Sequence, residues 1–489
     1  MATCYLALDA GTTSCRTLVF SQDGRLAGMA QKELTQYFPQ PGWVEHDPEE
    51  ILDCQFSTLK EALRSAGVEA SHIAAAGITN QRETVVAWDG RTGRSLHKAI
   101  VWQDRRTVEI CNALKSEGLE PYIRENTGLV ADAYFSATKM HWLLHHAGAV
   151  SEAANRNTLR FGTVDAWLLW HLTRGQVYAT DISNAARTLL FNLHTKDWDD
   201  VLLRRLGMQR AWLPEIIPSI GFSGFIHPDF LGRSIPITGV AGDQQAALFG
   251  HGATRPGMVK NTFGTGCFML MNTGQRPVSS RFGLLTTVAW QKGADVTYAL
   301  EGSVFIAGAA IQWLRDGLNL IKHAGESEVL ARSVNDNGGV YMVPAFAGLG
   351  APYWDMEARG LISGLTRGTT RAHIVRAALE SMAYQTWDIL DCMQKDAGFP
   401  LQDLSVDGGA TANSFLMQFL AGLLQIPVKR PAMQEMTAFG AARMAAEGIH
   451  QTLPMQDNGL EIFQPAMPAS EAQQLLEGWR QAIRRTVKT

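Results

Sequence analysis

Two short Gly/Thr segments, each set between apolar strand-like runs, constrain this chain more than any other feature. The first is Leu8-Asp9-Ala10-Gly11-Thr12-Thr13-Ser14-Cys15-Arg16, and the second is Phe263-Gly264-Thr265-Gly266. Glycine lets a backbone turn approach an anion closely, and Thr or Ser hydroxyls with exposed N–H groups can cradle phosphate oxygens. One such segment is an ordinary hairpin with Thr-rich turn chemistry. Two of them, in matching strand–turn–strand settings, predict a duplicated α/β fold whose turns face each other across a cleft, where ligands commonly sit.

The flanking sequence supports the duplication. A strand from Cys4 to Asp9, a strand from Arg16 to Ser21, an Asp23-Gly24 turn and a strand from Arg25 to Gln31 form the predicted opening. Asp47 as N-cap, Pro48 at the first helical position and Glu50 near the start predict a helix. Leu52, Phe56, Leu59 and Leu63 give that helix its apolar stripe, and a strand from Ile73 to Thr79 follows. The middle repeats the theme with strands from Met258 to Thr262 and from Cys267 to Asn272. The polar stretch 250–257 reads as a linker, so we divide the chain into domains 1–250 and 251–489. With 489 residues there is chain enough for two cores. Long helices are expected from about Arg371 to Lys395 and from near Ala412, the second preceded by a short strand, Leu404-Ser405-Val406. An amphipathic helix from Ser470 to Lys488 closes the chain.

Several function classes are disfavoured. The net charge is -4 and no Lys/Arg run occurs, which argues against a nucleic-acid partner. The six cysteines are scattered without a CxxC pair, the pattern of free thiols in a reducing compartment. No basic region precedes the first apolar strand, and the longest apolar stretch, Gly302 to Leu314, is interrupted by Gln312. A membrane span needs roughly 20 apolar residues, so we expect a cytoplasmic protein without one; whether it forms a homo-oligomer is left open. There is no GxxxxGK[ST] and no GxGxxG after a strand. His141 and His145 have the i, i+4 spacing of a zinc pair, but no Glu follows His141 and no third ligand is near.

Four constellations offer chemistry. Asp9, at a strand end, can hold Mg²⁺ through water, and Arg16 can meet phosphate charge. Asp407-Gly408-Gly409-Ala410-Thr411-Ala412-Asn413 joins a strand to a helix; its small residues would let a base or ribose lie on the backbone, and the helix start favours anions. Taken alone it reads equally well as a capped turn. Gly242-Asp243-Gln244-Gln245 follows a strand from Ile235 to Val240. Asp243 there suits a general base for a hydroxyl, or simply an N-cap for a helix starting at Gln244. Arg82 and Glu83, in Asn80-Gln81-Arg82-Glu83-Thr84, offer a donor and an acceptor to adjacent hydroxyls. Trp102 and Phe268 could pack on the C–H face of a polyol, with Tyr134 in the same set. Ordinary ion pairs and core aromatics would explain the same residues.

Taken together these residues resemble the FGGY carbohydrate kinase family, within the actin/Hsp70/sugar kinase superfamily. Gly360-Leu-Ile-Ser-Gly364 with His373-Ile-Val-Arg-Ala-Ala-Leu-Glu380 is similar to one family signature, and Tyr134-Phe-Ser-Ala-Thr-Lys139-Met-His-Trp142 to the other. The resemblance covers nearly the whole chain and implies two RNase H-like domains around a central ATP/substrate cleft. It implies ATP-dependent phosphorylation of a small polyol, glycerol foremost, to glycerol 3-phosphate. By it, Asp243 would be the base; Arg82, Glu83, Tyr134, Asp243 and Gln244 would bind hydroxyls; Trp102 and Phe268 would pack on carbons. Thr12, Thr13, Ser14, Arg16, Thr265, Gly308, Gln312, Gly409 and Asn413 would bind ATP, with Asp9 and Asp243 placing Mg²⁺. Two positions depart from the pattern: Ala10 stands where Gln is usual, and His145 where another polar residue is expected. The alternatives are a family kinase for another polyol or ketose, and an actin/Hsp70-like ATP-driven clamp. The clamp lacks a peptide-binding domain and leaves Arg82, Glu83 and Trp102 unexplained.

Overall fold

Both Gly/Thr segments form hairpins. Cys4–Ala10 pairs antiparallel with Ser14–Ser21, and Val259–Phe263 with Cys267–Gly274. The computed structural model describes residues 3–456 and 459–487, and around each hairpin it builds a sheet in the same order. In the first sheet Leu26–Glu33 continues antiparallel beyond Ser14–Ser21, while Ile73–Asn80 and then Ile235–Gly242 lie parallel on the other side of Cys4–Ala10. In the second, Asp295–Val304 takes the place of Leu26–Glu33, with Leu404–Asp407 and then Val428–Arg430 as the two parallel strands. Leu285–Lys292 adds an extra edge strand beyond Asp295–Val304.

The helix Pro48–Ala66 starts where its caps dictate. The Asp47 side chain accepts from the Glu49 N–H at 3.0 Å, and Gly67 ends the helix at a left-handed φ of 63°. Its apolar stripe buries Ile51, Leu59 and Ala62 with Leu6, Leu8 and Ile78 of the first sheet. Arg371–Ala397 and Ser414–Leu424 cover one face of the second sheet through Val375, Met382, Leu416 and Leu420. At roughly 1.5–3 kcal/mol per fully buried large aliphatic side chain, these faces fix each half as a core of its own.

Two short helices exchange between the halves. Asp243–Gly250 leaves the first sheet and packs Ala246, Leu248 and Phe249 against Leu270, Trp290 and Ala299 of the second. Met436–Gly448, from the later part of the chain, packs Ala438, Phe439 and Ala442 against Tyr5, Ala7 and Phe20 of the first. Small residues permit the crossing. A Cβ on Gly440 would lie 1.8 Å from the Ala246 carbonyl oxygen, and one on Gly77 would lie 2.1 Å from that of Ala441.

The stretch between Asn80 and Ile235 forms a mainly helical insertion with its own core around Phe135, Leu143, Phe161 and Leu190. His141 and His145 do share a helix, Ser136–His146; His141 Nδ1 lies 2.9 Å from the Leu206 carbonyl oxygen. The expected helix near Ala412 begins at Ser414, after a single tight turn over Gly409–Ala412, and the closing helix is Ala469–Thr486. Lys488, the expected end of that last helix, lies outside the described residues. Among the described residues no helix is long and apolar enough to cross a membrane.

Candidate active site

The parallel strands of the first sheet deliver the polar groups. Arg82 and Glu83 sit just past the end of Ile73–Asn80, in a turn that holds Glu83 at a φ of +62°. A non-glycine residue held in the left-handed region costs about 1–3 kcal/mol and persists only where its surroundings over-determine it. Here they do. Glu83 Oε1 accepts from Arg187 Nε at 2.6 Å, and its carbonyl oxygen accepts from Ser136 Oγ at 3.0 Å. Asp243 follows the neighbouring strand. It is the first residue of its helix, with Gly242 as the cap, so the plain N-cap reading does not describe it. Its Oδ1 lies 3.2 Å from Arg82 Nε and accepts the Gln244 N–H at 2.7 Å.

Arg82 is at the centre of a buried ion cluster. Its Nη1 donates to Glu301 Oε2 at 2.5 Å, and its Nη2 lies 3.4 Å from the Tyr134 hydroxyl. Arg187 Nη2 donates to Glu301 Oε1 at 2.9 Å. Burial pushes the Glu301 carboxyl up, but Arg187 and Arg82 overcome it and hold that group down at about 2. Glu83 goes the other way: burial raises it despite the same two arginines. Buried charges are tolerated only when paired and hydrogen-bonded, and each of these four meets an opposite charge. Arg187 Nη1 is buried without a hydrogen-bond partner, so the cluster retains a donor for one further acceptor. Asp243 differs from the others in exposure, its side chain being 30% accessible against 2% or less for Arg82, Glu83, Arg187 and Glu301.

Aromatic rings wall this cluster. Trp102 meets Tyr134 edge-on at 5.6 Å and Phe268 edge-on at 6.3 Å, between ring centroids. The three rings and Glu301 line a cavity of about 360 Å³ between the halves. Trp102 Nε1 also donates to Thr12 Oγ1 at 3.0 Å, which ties the aromatic wall to the first hairpin. Gln244, expected beside Asp243, turns instead to Lys260, whose Nζ donates to its Oε1 and, at 2.9 Å, to Thr262 Oγ1. Burial lowers the Lys260 ammonium to about 8 against the pull of Asp407 and Asp243.

A second cavity, of about 330 Å³, lies in the later half and brings together Thr265, Gly308, Gln312, Gly409 and Asn413. Glycines make its rim. A Cβ on Gly308 would lie 2.6 Å from the Gly264 carbonyl oxygen; next to the rim residue Gly409, one on Gly408, at a φ of +90°, would lie 2.4 Å from that of Phe263. Asn413 caps the helix Ser414–Leu424 by accepting the Leu416 N–H at 3.0 Å. Asp407 is not the cap: it binds His251 Nε2 at 2.9 Å. The first-hairpin residues Thr12, Thr13, Ser14 and Arg16 lie outside this cavity. Ser14 Oγ accepts from Gln31 at 3.1 Å, and Thr13 is exposed at the tip. Arg16 is held by two carboxylates, Asp9 at 2.5 Å and Glu435 at 2.5 Å.

Sequence reasoning missed Arg187, Glu301 and Lys260. Each is a charge inside an otherwise apolar or small-residue run, as in Tyr298-Ala-Leu-Glu301-Gly302. Charged residues are almost never fully buried unless paired, so for Lys260 and Glu301 a lone charge in a strand that should be buried was the available signal; Arg187, in a turn after a short helix, carried none of that kind.

A duplicated sheet, two glycine-built turns and a cleft edged by a partly exposed carboxylate, Asp243, define a two-lobed fold with room for ligands between its halves. Comparisons narrow this further. Residues 4–250 match the N-terminal domain, and residues 259–448 the C-terminal domain, of the FGGY family of carbohydrate kinases. The chain is 56% identical to a glycerol kinase of Halorhodospira halophila, covering 99% of this chain and 96% of that one. It is 53% identical to glycerol kinase 2 of Thermotoga maritima, covering 99% and 98%. A crystal structure of Plasmodium falciparum glycerol kinase with ADP superposes with a TM-score of 0.92 at 32% identity, covering 100% of this chain and 99% of that one. A Brucella ovis xylulose kinase shares the fold, with a TM-score of 0.85 at 23% identity, covering 99% and 98%. The chain belongs to the FGGY family of carbohydrate kinases and has the two-domain fold of that family.

Proposed function

We propose that this protein transfers the γ-phosphoryl group of ATP to a primary hydroxyl of glycerol, giving glycerol 3-phosphate and ADP. The observation that carries the reading is the Arg82–Glu83–Asp243 set beside the Trp102–Tyr134–Phe268 wall, in a chain more than half identical over its length to glycerol kinases. Charged groups take the hydroxyls and rings take the C–H surface. In this reading Asp243 accepts the proton of the attacking hydroxyl. The oxygen bonds to the γ-phosphorus as the bond to the β,γ-bridging oxygen breaks, and ADP leaves. Such transfer needs positioning and charge stabilisation more than covalent help. Residues 1–250 supply the polyol groups and the first phosphate hairpin. Residues 251–489 supply the second hairpin, with Thr265, Gly308, Gln312, Gly409 and Asn413 around the nucleotide.

Magnesium fits the carboxylates present. Burial raises the Asp9 carboxyl, Arg16 opposes this, and the neighbouring charge of Asp243 raises it further. A cation between the two would relieve that repulsion. Magnesium commonly binds through one or two carboxylates and substrate phosphates, and Asp9 and Asp243 are the carboxylates this site offers. When bound, it would neutralise phosphate charge. The test is ADP release with and without polyols. Glycerol should drive it far better than 1,2-propanediol, because a missing hydroxyl leaves a buried charged group unpaired. Release that no polyol stimulates would refute the reading.

A further inference from the structure

Glu301 belongs to the strand Asp295–Val304 of the second sheet, yet both groups it grips come from the first half of the chain. Its Oε2 takes Arg82 Nη1 at 2.5 Å. Its Oε1 takes Arg187 Nη2 at 2.9 Å and lies 3.3 Å from Arg82 Nη2. The side chains of Glu301 and Arg187 are fully buried. Arg187 in turn fixes Glu83 through Oε1 at 2.6 Å, leaving Oε2 of Glu83 for another partner. One carboxylate from across the cleft therefore sets the pose of both groups proposed to hold the polyol hydroxyls: Arg82 directly, and Glu83 through Arg187.

We propose that Glu301 is a positioning residue for the acceptor site, so that the polyol-binding groups of the first half are held in register only when the second half supplies its carboxylate. The inference rests on the polyol-kinase reading above. Without Glu301 the two guanidinium groups lose one of the two anions they share, Glu83 being the other. Arg82 keeps a nearby carboxylate partner in Asp243, at 3.2 Å, and Arg187 keeps Glu83. Both guanidinium groups then gain freedom to swing away from the pose the hydroxyls require. The nucleotide cavity is built from other residues, so ATP binding has no direct stake in this contact.

The experiment is steady-state kinetics on the full chain. Wild-type turnover of glycerol is measured first; its absence overturns the polyol-kinase reading itself. With that turnover in hand, Glu301→Gln should raise the glycerol KM about 10–100-fold, the span expected for losing a charge-assisted hydrogen bond. Its KM for ATP should stay within about threefold of wild type, since the residues of the nucleotide cavity share no partner with Glu301. Glu301→Asp keeps the charge and retreats by one methylene, so it should recover part of the glycerol KM. It also serves as the test if the Gln variant does not fold. In an Arg82→Gln background the Glu301→Gln change should raise the glycerol KM by less than it does in wild type, because only the route through Arg187 to Glu83 remains. A folded Glu301 variant with an unmoved glycerol KM, or one whose ATP KM rises as much as its glycerol KM, overturns the inference.

Discussion

Replacing Asp243 with Asn tests the proposed chemistry with little disturbance of shape. Asp243 Oδ1 accepts the Gln244 N–H at 2.7 Å and faces Arg82 Nε at 3.2 Å. An amide oxygen in the same place can accept from both, so the helix start and the Arg82 pose should survive. The neighbouring pair of Arg82 and Glu301 is untouched, and the side chain is already 30% exposed. Loss of the Arg82–Asp243 charge pair at that exposure should cost no more than about 1 kcal/mol of stability. What disappears is the basic oxygen. A general base contributes typically 10²–10⁴-fold, equivalent to about 3–5 kcal/mol of barrier. We therefore expect kcat for glycerol, read by coupled ADP release, to fall by 10²–10⁴-fold. The melting temperature should move by only a few degrees, and the glycerol KM by less than the kcat. A variant that melts like wild type and turns over within about tenfold of it would remove Asp243 from the role of base.

Two further changes probe the framework. Asp388 is buried under Trp479 and Tyr353, both donating to its Oδ2 at 2.8 Å, and burial raises its carboxyl from 3.8 to about 7. The folded state thus binds more protons than the unfolded one between those values, and stability falls as pH rises through that window. Asp388→Asn should leave stability at pH 4 nearly unchanged and raise it at pH 8, by at most about 4 kcal/mol; denaturant melts at the two pH values check this, and an equal effect at both refutes it. Gly440→Ala would drive a methyl to 1.8 Å from the Ala246 carbonyl at the helix crossing, whereas Gly148→Ala meets nothing within 4 Å. The first should cost about 1–3 kcal/mol as overpacking does, the second almost nothing, in thermal melts of the two variants.

Much of this architecture was legible in the chain because it is written in local terms. The Asp47-Pro48 start, the Gly/Thr turns and the alternating apolar runs each fix a short element, and the repeated pattern implied the duplication. The exchange of helices between the halves was not legible. Nothing in Gly440 or Ala441 says which sheet they face; that depends on a crossing between segments separated by most of the chain. The site divides the same way. Arg82, Glu83 and Asp243 stand at strand ends in recognisable clusters. Arg187 and Glu301 gain their meaning only from each other, at 2.9 Å across the cleft. Arg16 could be read toward phosphate, but its position between Asp9 and Glu435 required the fold to bring residue 435 to the first hairpin.

The most direct test of the account is a comparison of acceptors at equal ATP with the product identified. The purified protein is given glycerol or a five-carbon ketose such as xylulose, kcat/KM is measured for each, and the phosphorylated product is resolved by phosphorus NMR. Glycerol should be preferred, and the phosphate should appear on a terminal carbon as glycerol 3-phosphate, with one ADP formed per product. A higher kcat/KM for the ketose, or ADP formed with no phosphorylated polyol, would contradict the proposed function.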